Sequence, residues 1–292
     1  MTNDNFAFIG ELQSEQKRKS GKQNKYFKSE AKRTLFAADN FYKAVISHFI
    51  AGAASGGFLF LTYYIPSLTS MFFSDFLSEK AVNTLSLTLN VILYTVFSAF
   101  FFAFFFGAYV LASKMKDEPD KEPGAPRFAS LSSMLIPLNS LKNARRTFCL
   151  YLILAAELAV SVLPSVFVFS FIKMTELDRI SVFFVELTVV LCSAFACVFF
   201  IMLFVPMPFV MAENRGAGAA ELYKKSASAA LCGIWRCYAL LFSFLPLILL
   251  SILTFGVLFF AYTLPYMTVS CAKVGEYLYY LENPERKKEN ET

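Results

Sequence analysis

The residues that could do chemistry in this chain are few, and the first is Glu157, set inside the apolar stretch "LYLILAAELAVSVLPSVFVFSF" from Leu150 to Phe171. It lies ten residues in from Thr147, so a helix rising about 1.5 Å per residue carries it roughly 15 Å deep, near the middle of a hydrocarbon core. Insertion scales put the cost of Asp, Lys or Arg there at about 2.5–3.5 kcal/mol. No Lys or Arg stands near the centre of an apolar run to offset the charge. Protonation is the simpler solution, because a neutral acid needs no countercharge and donates a hydrogen bond. Ser193 and Ser243 are acceptors at suitable depth. Two readings follow: a proton- or cation-coupled intramembrane carboxylate between facing helices, or a protonated packing residue held by a hydroxyl.

Glu186 is the other carboxylate in an apolar run, five residues from its outer end. The two differ in depth by on the order of 15 Å, whereas paired catalytic carboxylates lie about 5–10 Å apart. Glu186 is therefore expected to reach towards outer headgroups rather than to form a dyad. His48, the single histidine, falls near the inner end of the first run, where interfacial packing explains it; alone it builds no metal site. Cys149, Cys192, Cys197, Cys232, Cys237 and Cys271 show no zinc-site spacing and read as small apolar packing residues. No phosphate loop, nucleophile elbow or zinc-protease helix is present. The expectation is a protein that is not an enzyme and holds neither metal nor cofactor.

The elements that carry these residues follow from charge. Charged side chains are nearly absent from Ala44–Ser74, Ala81–Ser113, Thr147–Ile172, Ile180–Ala212 and Cys237–Ala272. Each run reaches the roughly 20 residues a membrane-crossing helix needs. The last, at 36 residues, is nearly twice as long as one span requires, and Gly256 in "LTFGV" permits a tight turn between two. Six spans put 24 of the 27 Lys and Arg on one side and three on the other, the cytoplasmic excess that orients membrane proteins. The fold class is thus all-α, a polytopic membrane helical bundle with six transmembrane helices and cytosolic N- and C-termini. The net charge of +5 is explained by topology and by attraction of the cytosolic segments to anionic headgroups. No nucleic-acid motif accompanies it.

The predicted organisation is a flexible basic tail over residues 1–33, a membrane domain over 34–281 and a charged tail over 282–292. Its spans are near 45–64, 87–111, 147–172, 181–205, 235–253 and 257–273, and cytosolic amphipathic segments cover 127–146 and 217–233. In the first span Gly52 and Gly56, four residues apart in "GAASG", offer a small-residue face for helix packing.

Several features of the last quarter resemble an uncharacterised family of bacterial six-helix integral membrane proteins, mainly over residues 205–281. They are "MAEN" at Met211–Asn214, Ser226 followed by Gly233, "LFSFL" at Leu241–Leu245, "LTFG" at Leu253–Gly256, and Pro265 with Tyr266 in "LPY". Arg215 stands where the family pattern calls for proline. The resemblance implies a multi-pass protein of the bacterial plasma membrane and brings no activity with it.

The function expected from these residues is an accessory, scaffold or lipid- or protein-binding membrane component. Its partners are the lipid bilayer and either another membrane protein or a second copy of the chain. The alternative is a small transporter, or a subunit of one, using Glu157 as its coupled carboxylate.

Overall fold

The computed structural model describes residues 25–37, 39–73, 78–116, 130–172, 179–214, 216–254 and 256–283. The distal part of the expected N-terminal tail, the linker before the first amphipathic segment and the final charged residues lie outside these. Ten α-helices follow in order: α1 over residues 25–36, α2 Asn40–Phe73, α3 Glu79–Ser113, α4 Leu141–Ile172, α5 Arg179–Leu203, α6 Met207–Glu213, α7 Ala219–Leu231, α8 Ile234–Phe242, α9 Leu245–Leu253 and α10 Leu264–Glu282. A 3-10 helix, Leu131–Leu138, precedes α4, and a π-helical turn, Phe259–Thr263, leads into α10.

Among the described residues, four stretches are long and apolar enough to cross a membrane: Glu79–Ser113, Leu141–Ile172, Ile180–Glu213 and Ile234–Leu253. The protein is therefore a multi-pass, membrane-integrated all-α bundle, as a plasma-membrane location requires. Helix α2 packs chiefly on α3, and α4 chiefly on α5, giving two long hairpins, while α9 turns back at Gly256 through the π-helical turn into α10. The dense core lies towards one end. There α1, the 3-10 helix, α6, α7 and α8 close over the inner turns of α3, α4 and α10 in two apolar clusters, one around Leu111, Phe244 and Val269 and one around Leu150, Met207 and Leu222.

Helix breaks and close approaches shape the bundle, and the break after α5 is satisfied by side chains. Pro206 has no N–H to donate, and α5 stops at Leu203 before α6 begins. Two carbonyls at the break accept hydroxyls from other helices: Leu203 from Ser226 of α7 at 2.7 Å and Val205 from Tyr109 of α3 at 2.5 Å. Gly275 lets α10 approach, since a Cβ there would overlap the Val205 carbonyl oxygen. Gly107 does the same for the 3-10 helix, where a Cβ would collide with the Met134 carbonyl. Helix α9 ends at Leu253, and Gly256 turns the chain with φ +81°, a conformation that glycine adopts without steric cost.

Two features differ from the sequence-based expectation. The tail drawn to residue 33 is shorter, because residues 25–36 are helical and bury Phe27, Ala31, Thr34 and Leu35. Those positions recur at helical spacing, and their partners on α8, α9 and α10 are too distant in sequence to be foreseen. The Lys28 ammonium donates to the Ser243 carbonyl at 2.8 Å and lies 4.2 Å from the centre of the Phe244 ring, at the break between α8 and α9. The segment expected over 127–146 is divided: Leu131–Leu138 is a 3-10 wedge with Met134 and Pro137 buried, and α4 begins at Leu141, six residues before Thr147. Pro137 supplies the physical reason, since its ring is incompatible with a continuous α-helix.

Candidate functional site

Glu157 projects from α4 towards α7, and the Tyr223 hydroxyl donates to its Oε1. Its Oε2 is buried with no hydrogen-bond partner. Tyr223 occupies this place because α7 turns Leu222, Ser226, Ala229 and Ala230 inward, leaving Tyr223 beside that stripe with its ring 5.5 Å from Phe204. Burial first, then the Glu157 carboxylate, hold the Tyr223 phenol above its ordinary range. Tyr223 is thus a donor across the physiological range.

The proposed serine partners are engaged elsewhere. Ser193 meets Ser165 at 2.5 Å and ties α5 to α4, while Ser243 donates to the Leu240 carbonyl at 2.5 Å within its own helix end. The partner is a phenol from a segment expected to lie on the cytosolic surface. Because the same phenol touches Phe204, just past the end of α5, Glu157 is level with that helix end rather than with its centre. The turns of α4 before Glu157 are sheathed by protein, with Leu150 packed among Phe106, Val110 and Met207.

Glu186 takes no part in this site. Glu157 lies eight residues before Ser165 on α4, and Glu186 seven residues before Ser193 on the returning α5. The carboxylates therefore fall on opposite sides of that contact, about 20 Å apart along the helices. His48 is buried and links α2 to α10: Nδ1 lies 2.7 Å from the Ala44 carbonyl, Nε2 lies 2.9 Å from Thr268 Oγ1, and Phe105 presents an edge to the ring. The six cysteines are free. Among the described residues no three metal-ligating side chains come together.

The glycine face of α2 is only partly used. A Cβ on Gly52 would sit 3.8 Å from Phe260, and one on Gly56 would meet nothing within 4 Å. The five family-like positions all fall at junctions. Ser226 holds the Leu203 carbonyl, Gly233 makes room for Leu278, and Gly256 turns the chain. Pro265 starts α10, and Tyr266 donates to the Lys28 carbonyl at 3.0 Å while its ring meets Phe244 edge-on.

Sequence reasoning missed Tyr223, Gly107 and Gly275. An amphipathic pattern identifies the buried stripe of α7, but which side chain beside it reaches α4 depends on tertiary packing. Chemically, the arrangement holds one carboxyl group and one phenol in contact. It can retain or exchange a proton.

No family model matches the chain, and neither a curated protein nor a solved structure matches it.

Proposed function

We propose that the chain is a six-span protein of the bacterial plasma membrane with cytosolic termini, of the uncharacterised kind its last quarter resembles. It acts without catalysis, as an accessory or scaffold component that binds another membrane protein or lipid. The observation that carries this reading is the outer half of the α4–α5 hairpin. Only 11% of the most apolar stretch of α4 is buried inside the chain, and Phe167, Phe171, Phe183 and Phe184 face outward. Membrane helices associate through close packing rather than through the hydrophobic effect, so such a surface is covered either by acyl chains or by a partner helix. The test is purification of the full chain in native lipid discs with mass spectrometry of what travels with it. A stoichiometric membrane-protein companion supports the reading, and a bound solute without a companion contradicts it. Six spans require the C-terminal tail to resist impermeant thiol reagents in intact cells after a cysteine is introduced there; labelling from outside would exclude that count.

The second reading, a transporter or transport subunit coupled through Glu157, is favoured by one detail: the buried Oε2 without a partner beside the Tyr223 bond. Under this reading Glu157→Gln abolishes pH-dependent transport while leaving the fold intact. Retention of pH-dependent transport in that variant would exclude it.

A further inference from the structure

On the inward stripe of α4, one helical turn before Leu150, stands Arg146. It is 8% exposed, and none of the described residues gives its guanidinium a hydrogen bond, an ion pair or an aromatic face. Its neighbours do not supply what it lacks. Thr147 donates to the Pro137 carbonyl at 3.2 Å, and Asn143 donates to the Ile136 carbonyl at 3.3 Å and to Asn139 Oδ1 at 2.8 Å. None of these bonds involves the guanidinium. An arginine always carries its charge, so a largely buried guanidinium with no acceptor from the described chain is left to what reaches it from solvent. No nitrogen of Arg146 is among the buried polar atoms sealed from solvent without a partner. A group arriving from outside can therefore reach it.

The surroundings indicate the chemistry of that group. Lys142, four residues earlier on the same stripe, and Arg145 are exposed, so three cations stand within about one and a half turns of helix. Leu141 beside them is 89% exposed, and Leu135 is also exposed. Large apolar side chains bare beside a basic cluster place it at a membrane interface, where lysine and arginine meet anionic headgroups. A planar guanidinium fork matches the oxygens of a phosphate in bidentate fashion.

We propose that Arg146 is the buried anchor of a phosphate-binding site at the cytosolic interface, with Lys142 and Arg145 as its exposed rim. The ligand class is a phosphate group, supplied either by an anionic phospholipid headgroup or by a soluble phosphate. The site is separate from the Glu157–Tyr223 pair, eleven residues away along α4, and does not depend on the accessory reading.

The experiment compares the full chain in phosphatidylcholine discs, in the same discs containing phosphatidylglycerol, and in phosphatidylcholine discs with added inorganic phosphate. Native mass spectrometry reads retained lipid, and thermal melting reads stabilisation. The wild type is expected to retain one phosphatidylglycerol per chain and to melt at a higher temperature with it, and Arg146→Gln to weaken retention by about tenfold or more. Arg146→Lys, which keeps the charge without the fork, falls between them. Stabilisation of the wild type by inorganic phosphate and not by phosphatidylglycerol supports the site with a soluble ligand. Equal responses of wild type and Arg146→Gln to both probes overturn the proposal. If Arg146→Gln does not fold, the wild type and Arg146→Lys decide: indifference of both to phosphatidylglycerol and to phosphate overturns it as well.

Discussion

A phenol donating to a half-buried carboxylate makes the two partners unequal in what their removal costs. Tyr223→Phe leaves Glu157 with neither oxygen bonded, and an unsatisfied buried polar group costs about 1–3 kcal/mol, more if charged. Glu157→Gln keeps an oxygen for the Tyr223 hydroxyl and removes the charge. Tyr223→Phe is therefore expected to lower the melting temperature in lipid discs more than Glu157→Gln does, and the opposite order would show that the bond does not hold α7 to α4. Glycines give a second residue-scale contrast. Gly56→Ala meets open space and gains helix propensity of about 0.5–1 kcal/mol, so it is expected to be neutral or stabilising. Gly107→Ala drives a methyl group into the Met134 carbonyl, and overpacking of that kind costs about 1–3 kcal/mol or more. Equal melting temperatures for the two variants would contradict the close approach of the 3-10 helix to α3.

Helix α1 shows how an element invisible to hydropathy becomes structural through its contacts. Besides the Lys28 contacts, Glu30 pairs with Lys273 of α10 at 3.3 Å, and Phe27 meets Tyr277 edge-on. Burial lowers the Lys28 ammonium from its ordinary range. Glu276, next to this seam, has its carboxyl raised, by burial first; Lys273 and Lys116 pull it down and Glu30 pushes it up. A carboxyl raised in the folded state costs stability while ionised, and that cost is relieved as pH falls through its folded pKa towards the ordinary glutamate range. Docking of α1 is therefore expected to tighten on mild acidification. Hydrogen exchange of the α1 amides, corrected for intrinsic rates, should show more protection at about pH 5.5 than at about pH 8, with the difference reduced by Glu276→Gln. Protection that is flat with pH, or unaltered by the substitution, would remove Glu276 from the seam's energetics. In the sequence, α1 reads as polar because its outward side chains outnumber the Phe27, Ala31 and Leu35 stripe, and its partners lie more than 200 residues away.

At the scale of the whole molecule, charge runs locate the long apolar helices because lipid imposes the same demand at every position along a span. They do not locate the protein-sheathed layer, where α4 begins six residues early and α5 breaks into α6. Glu157 shows the consequence. Its residue type signals an unusual site, but its phenol partner depends on how α7 packs against α4. Arg146 was hidden in the same way, as one basic residue in an "ARR" flank whose burial only packing reveals. The resulting molecule is dense towards one end and opens beyond it into helical hairpins, with α4 and α5 presenting apolar faces that the chain itself leaves uncovered. The measurement that tests this account most directly is photocrosslinking in native membranes from a reactive residue placed at Phe167 or Phe171, with one placed at the exposed Trp235 for comparison. An accessory component yields one protein adduct of defined mass from the α4 positions and none from Trp235. Lipid adducts alone, equal at all three positions, would contradict it.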